Sequence, residues 1–442
     1  MKKNYVTLFL MIFATVIVAQ RNDFNNNGGN QEWSNASNWS LNAAPVATDI
    51  VGFPTLITSM VNADFTINKI QTTFATAGST PGGTVNISGE GILTIDVNAN
   101  PGTGIENASN NDAILNFSGK VTINNSIASG FKNTLMNHTN GNSNVIQFSD
   151  GSLLTINTPL EARSNSGGTY TFNGALAGAG ALRFSANTNI TFGSTSDHSG
   201  RTGDFVWVGA NSVVTVNTAD NGVFVPSGQK IQSNADNCSI IINGANVYKG
   251  NIGVDGTRTL TFNANKNQNS MGDIQFTGSG AGILNLDIDD SITELFFANS
   301  SEIEWNSGTL NITGFKEGII KFGTDNTGLT AAQLSQITAD GVGNGQTLAL
   351  QTDGTLVLAS SLSIEDYGYQ SKGRLSFPSV ISNQNLHIKV PITSYKIFNT
   401  LGQQVQSFEN KKEFQEISTS NLKGGIYIIN IEGKVSERFI KQ

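Results

Sequence analysis

Apolar and polar residues alternate along most of this chain. From about Gly83 to Gly323 one short phrase keeps returning, an apolar–polar–apolar triplet that ends at Asn, Ser, Thr or Gly. Val85-Asn-Ile-Ser-Gly89, Leu115-Asn-Phe-Ser-Gly119, Ile146-Gln-Phe-Ser-Asp-Gly151, Tyr170-Thr-Phe-Asn-Gly174, Ile240-Ile-Ile-Asn-Gly244, Ile274-Gln-Phe-Thr-Gly278 and Leu310-Asn-Ile-Thr-Gly314 are examples. A period of two predicts half-buried strands. The Asn/Ser-Gly endings supply the positive φ of a tight corner. Long helical periodicity is absent, and Thr330–Ile337 is the one short helix expected after the N-terminal segment.

Many short strands with turns fit either a hairpin-built sandwich or a parallel β-helix. Three observations favour a right-handed parallel β-helix. The pattern runs without a break that would separate two sandwiches. The phrases recur at roughly twenty to thirty residues, the scale of one coil. Charged residues are only 13% of the chain, against about 25% in ordinary globular domains. In a stack, like charges ~4.8 Å apart repel by about 0.9 kcal/mol even in water, a penalty that selects Asn, Thr and Ser ladders instead. The open ends of such a stack need covers. A lower cap is expected over about residues 30–50, with Trp33 and Trp39 lying on the first coil. An upper cap is expected over about 305–359, with closing strands at Thr347–Leu350 and Thr355–Leu358.

Cations are thin through the middle and crowd the end, a shift that places a linker at about 360–372. Beyond it, Leu386–Val390, Tyr395–Asn399, Gln404–Phe408, Phe414–Ile417, Ile426–Ile431 and Val435–Ile440 are strand-like runs separated by turn chemistry, which predict a small antiparallel β-sandwich over 373–442. At the other end, Lys2 and Lys3 precede an apolar run from Tyr5 to Val18. That run is too short to span a bilayer and reads as a signal peptide over 1–19, cut between Ala19 and Gln20. No transmembrane segment is expected in the mature chain. The net charge of −8 and pI near 5.0 argue against a nucleic-acid partner. Cys238 is the sole cysteine, so disulfides cannot hold a monomer together, and a buried thiol is expected.

Chemistry-bearing constellations are few. In Leu284-Asn-Leu-Asp-Ile-Asp-Asp290 the apolar residues alternate inward, so Asp287 and Asp289 are expected on one outer face. Two positions along a strand put them ~6.7 Å apart, within the range of paired glycosidase carboxylates. The plainer reading is the polar side of a strand. Asp287, Asp289, Asp290, Glu302 and Glu304, with Asp273 and Glu294 nearby and no Lys or Arg among them, form a candidate calcium cluster. The glycine-aspartate nonapeptide of calcium-binding β-rolls is missing, and no other cofactor is expected. His138 and His198 lie in polar surroundings without matched ligands and read as surface histidines. Trp207 reads as a core or corner aromatic.

Two resemblances add to this. Tyr395-Lys-Ile-Phe-Asn-Thr-Leu-Gly-Gln-Gln-Val405, Leu422-Lys-Gly-Gly-Ile-Tyr-Ile-Ile-Asn-Ile431 and Arg438-Phe-Ile-Lys-Gln442 resemble the type A C-terminal sorting domain of the type IX secretion system of Bacteroidota-type bacteria, with Gly402, Gln403, Gly425, Ile426, Tyr427 and Lys441 matching its pattern. Phe377-Pro-Ser-Val380 stands where the family often has an aromatic-Pro-Asn-Pro tetrad. The resemblance implies recognition by the outer-membrane translocon, then release or fixation to surface lipopolysaccharide. Gly174-Ala-Leu-Ala-Gly-Ala-Gly-Ala-Leu182, Ile190-Thr-Phe-Gly193, His198-Ser-Gly-Arg-Thr-Gly203 and Trp33-Ser-Asn-Ala-Ser-Asn-Trp39 are similar to autotransporter-passenger repeats. The reading taken is an exported, adhesin-like solenoid that binds carbohydrate or surfaces. The alternative is a polysaccharide-degrading hydrolase or lyase on the same fold.

Overall fold

The computed structural model describes residues 19–73, 83–98, 102–109, 112–127, 133–138, 143–164, 167–342, 347–359, 380–381, 385–431 and 435–442. The expected signal peptide, apart from Ala19, and the expected linker at 360–372 lie outside the described residues. The chain divides into two compact units at Ala359/Ser360.

The first unit is a parallel β-solenoid. Among the described residues its strands form an eleven-stranded, a twelve-stranded, a six-stranded and a three-stranded parallel sheet, each strand pairing with the strands one coil before and one coil after. The twelve-stranded sheet carries the phrases found in the sequence. Val85, Leu115, Ile146, Tyr170, Ile190, Val214, Ile240, Phe262, Leu286 and Ile312 are in register on successive coils, and every one is buried. Two residues on, Phe117, Phe148, Phe172 and Phe192 stack with centroid spacings of 5.0, 5.4 and 5.2 Å. Repetition of one side chain at one position per coil therefore converts local alternation into continuous columns, and burial of these columns stabilises the stack.

The outer corners are tied by amides. Asn243 Nδ2 donates to Asn217 Oδ1 and Asn265 Nδ2 to Asn243 Oδ1, each at 2.8 Å. Asn116 Nδ2 likewise reaches Asn86 Oδ1 at 3.0 Å on the outer sheet face. These neutral side chains satisfy one another between coils where like charges would repel.

The six-stranded sheet ends at the strand Asp197–Arg201, and the three-stranded sheet begins at Gln268–Met271. Between them Phe224, Val225 and Tyr248 fill the interior. At the lower end Trp33 and Trp39 are buried with Phe24 and Phe53, and Trp39 Nε1 donates to Trp33 O at 2.8 Å. At the upper end the helix Ala331–Ser335 starts with a capping box, Thr330 accepting from Gln333 N and Gln333 accepting from Thr330 N. The strands Thr347–Leu350 and Leu356–Ala359 then pair antiparallel.

The second unit is a five-stranded, largely antiparallel sheet. Runs that the sequence reads as separate strands are continuous here: Asn385–Asn399 is one strand and Gln404–Ser418 another. Pro391 does not interrupt the first, because only its Tyr395–Asn399 half also pairs with Gly425–Ile431, leaving one side of the proline unpaired. Register shifts around Ile392 bend the hairpin. Leu386, Ile388 and Ile417 thereby share one core with Ile397, Ile429 and Phe439.

Candidate functional site

A polar recess lies on the outer face of the eleven-stranded sheet. The strand Leu160–Ser164 sends Leu160 and Ala162 into the core and Glu161 and Arg163 outward, and one coil later Leu182–Phe184 sends Leu182 and Phe184 inward and Arg183 outward. Glu161 and Arg183 are register partners. Period-two alternation and coil stacking thus bring a carboxylate and two guanidiniums together.

Glu161 is buried. Its Oε1 accepts from Arg163 Nη2 at 3.0 Å and from Ser185 Oγ at 2.6 Å, its Oε2 accepts from Asn133 Nδ2 at 3.2 Å, and Arg183 Nε approaches Oε2 at 3.8 Å. Burial opposes its ionisation, but the Ser185, Arg163 and Asn133 hydrogen bonds and the Arg163 charge outweigh that and hold its pKa below the usual carboxylate range. The surrounding recess has a volume of about 640 Å³ and is otherwise lined by polar and small side chains, among them Asn187, Ala186 and Gly209. Sequence reasoning missed this site. The signal available was the cluster Glu161, Arg163 and Arg183 in a charge-poor region, each on the polar parity of its strand.

The sequence-derived acidic candidates do not assemble into a comparable site. Asp287 lies on the outer side of Ile283–Ile288, in register between Asn263 and Thr313. Asp289 falls beyond that strand. Its backbone N–H donates to Ala264 O, as Asn265 N–H does to Ile242 O one coil earlier, so Asp289 is a corner residue. Its Oδ1 accepts from Ser291 N at 2.9 Å and Ser291 Oγ at 2.6 Å, which keeps its pKa below the ordinary value. The expected side-by-side placement of Asp287 and Asp289 on one strand is therefore corrected: the strand ends at Ile288. Asp290 is paired with Lys316 of the following coil at 3.1 Å, a cation that proximity in sequence did not reveal. Glu302 and Glu304 are exposed beyond the next strand, Leu295–Phe297. Among the described residues no group of three or more His, Cys, Asp or Glu side chains is arranged to hold a metal ion.

The histidines also differ from expectation. His138 and His198 are fully buried, not on the surface. His138 lies against Tyr170 with its Nε2 at 3.1 Å from Thr169 O, and His198 lies among Phe192, Phe205 and Phe224 with its Nδ1 at 2.8 Å from Phe224 O. Burial lowers their pKa values to about 4 and about 3. They belong to the packed interior because aromatic side chains distant in sequence close over them, Tyr170 on His138 and Phe205 and Phe224 on His198. The His387 side chain lies outside the described residues. Cys238 and Trp207 are buried.

In the second unit the residues singled out by sequence converge on one end of the sheet. Asn399 pairs with Tyr427, which pairs with Phe439, while Gly425 pairs with Lys441. The turn containing Gly402 and Gln403 follows Asn399 directly, closed by Gly402 N–H donating to Asn399 O and Asn399 Oδ1 accepting from Gln403 N, both at 3.0 Å. Ile426 remains exposed there, and Tyr427 stacks on Phe439 with centroids 5.6 Å apart. Residues 380–442 match the secretion system C-terminal sorting domain.

This is the type IX sorting domain. It marks the chain for export to the cell surface or beyond and implies interaction with the type IX secretion machinery. The match covers the sorting domain and leaves the solenoid outside it. No curated protein and no solved structure matches the chain. Among the described residues no helix is long and apolar enough to cross a membrane.

Proposed function

We propose that the exported solenoid works by contact, as an adhesin-like protein that holds carbohydrate or glycan-bearing surfaces without cleaving them. A signal peptide over 1–19, cut at Ala19/Gln20, would deliver it across the inner membrane, and the sorting domain would hand it to the outer-membrane translocon. Surface lipopolysaccharide is then a natural anchor or ligand.

The observation that carries the reading is the arrangement around Glu161, whose carboxylate oxygens accept from Arg163, Ser185 and Asn133. Glycoside hydrolysis needs a carboxylic acid that holds a proton near neutral pH opposite an ionised carboxylate. Glu161 is the sole carboxylate lining its recess among the described residues, and its partners keep it ionised. Asp289, one of the two carboxylates considered for hydrolysis, is also held in its ionised form by Ser291. Fixed guanidinium, amide and hydroxyl groups on a rigid sheet suit recognition.

The test is to incubate the full-length protein with a panel of immobilised and soluble polysaccharides, measuring retention and reducing-end release together. Retention without release is expected. Steady release that disappears in an Asp287→Ala, Asp289→Ala double variant would instead establish the hydrolase alternative.

A further inference from the structure

The Glu161 recess contains more cationic capacity than its own carboxylate uses. One guanidinium, that of Arg163, already makes the hydrogen-bonded pair with Glu161. Arg183 approaches at 3.8 Å, and its Nε has no hydrogen-bond acceptor. A guanidinium carries five N–H donors and favours planar, two-point recognition of a carboxylate. Both arginine side chains remain part-exposed, Arg163 at 41% and Arg183 at 30%, whereas Glu161 beneath them is at 6%. The recess thus presents a net positive charge in a chain whose formal charge is −8. Around it Asn133, Ser185 and Asn187 offer amide and hydroxyl groups of the kind that meet sugar hydroxyls. Its volume of about 640 Å³ falls within the range of small-ligand sites, ~300–1,000 Å³.

We infer that this recess is a subsite for an acidic polysaccharide, in which Arg163 and Arg183 grip the carboxylate of a uronate residue and Glu161 acts as a positioning residue for both guanidiniums. The inference rests on the contact-making reading above and gives it a location and a ligand class. Two features favour a uronate over a simple anion. Among the described residues that line the recess, the guanidiniums are flanked by neutral hydrogen-bonding groups and by no further cation, so charge alone does not define the site. The recess also opens outward on a sheet face, where both arginine side chains are part-exposed. Arg183 rather than Lys at this position is consistent with two-point recognition, since an ammonium would act only as a point charge.

The experiment compares the full-length protein with Arg163→Gln, Arg183→Gln and the paired Arg163→Lys, Arg183→Lys variant, using polygalacturonate, a neutral galactan and a sulfated galactan as probes in titration calorimetry. Far-UV circular dichroism and thermal unfolding confirm that each variant retains the solenoid. Polygalacturonate is expected to bind at least about tenfold more tightly than the neutral galactan, with affinity falling as salt rises. Each Gln variant is expected to lose about tenfold or more, and the paired Lys variant to keep only part of the affinity. Equal affinity for neutral and acidic galactans, or polygalacturonate binding untouched in a folded Arg183→Gln variant, would overturn the subsite while leaving the contact reading intact. Preference for the sulfated galactan over polygalacturonate would overturn the uronate assignment. Failure of every polysaccharide to bind would remove both readings together.

Discussion

Phe148 and Phe172 lie face to face across one coil of the solenoid, their centroids 5.4 Å apart and their planes 5° from parallel. Phe117 and Phe192 extend the stack on either side. Phe148 and Phe172, the inner members of this column, are held by burial and by a stacked ring on each face. Phe172→Ala should therefore cost about 3–5 kcal/mol, as for other buried aromatic truncations. Phe172→Leu preserves most of the apolar area and should cost less. Denaturant titration of the full chain, followed by tryptophan fluorescence, would check the order. A Phe172→Ala midpoint indistinguishable from the parent would contradict the column.

Acid should loosen the solenoid through its histidines. The folded-state pKa values of His138 and His198, about 4 and about 3, lie below their ordinary 6.5. Below about pH 6.5 the unfolded chain takes up protons that the folded chain refuses, so stability falls as pH drops toward the folded values. Each histidine contributes a slope of no more than about 1.4 kcal/mol per pH unit in that window. Stability measured from about pH 8 down to about pH 5 should be flat at first and then decline, and His198→Gln should make the decline shallower. A variant whose decline matches that of the parent would exclude His198 as a source.

Asp289 occupies the corner at which Asn217, Asn243 and Asn265 form a ladder in the preceding coils. A carboxylate cannot donate, so the chain of amides stops there. Asp289→Asn restores a donor at the corner. The expected thermal midpoint is no lower than that of the parent, and polysaccharide binding should be unchanged. A clear loss of binding would assign Asp289 a part that its corner position does not suggest.

In the sorting domain Gly402 has a φ of 75°, and a Cβ placed there would meet nothing within 4 Å. Space is therefore not the constraint; backbone conformation is. Gly402→Ala should weaken the turn by about 1–2 kcal/mol, and Gly402→Asn by less, because Asn tolerates the left-handed region. Hydrogen exchange at Gln403 in the full-length protein would read this directly, with protection falling in the order Gly, Asn, Ala. Equal protection in all three would show that the turn is not strained by a side chain.

The parts of this architecture that are local in sequence were readable from it. Alternation in segments such as Tyr170-Thr-Phe-Asn-Gly174 specifies inward columns, and Thr330–Ile337 stands out as the one short helix, observed at Ala331–Ser335. Gly402, Tyr427 and Lys441 could be selected by the pattern of the tail alone. The recess around Glu161 was not readable in the same way. Its two sides lie on neighbouring coils, and the registration of Glu161 with Arg183 depends on the length of the corner between them. The pairing of Asp290 with Lys316 was hidden for the same reason. His138 and His198 were misplaced because polar neighbours in sequence resemble a surface turn, whereas what buries them comes from Tyr170 on a neighbouring coil and from Phe224 farther along the chain.

Because each strand of a parallel sheet pairs only with the strand one coil below and the strand one coil above, the solenoid behaves as a ruler graduated in strands. Its eleven-stranded face measures about 50 Å at ~4.8 Å per graduation. Loss or duplication of a whole coil would alter reach by one such step while leaving the aromatic floor at Trp33 and Trp39 and the antiparallel lid at Thr347–Leu350 untouched. Reach can thus be tuned by copy number, without redesigning either extremity.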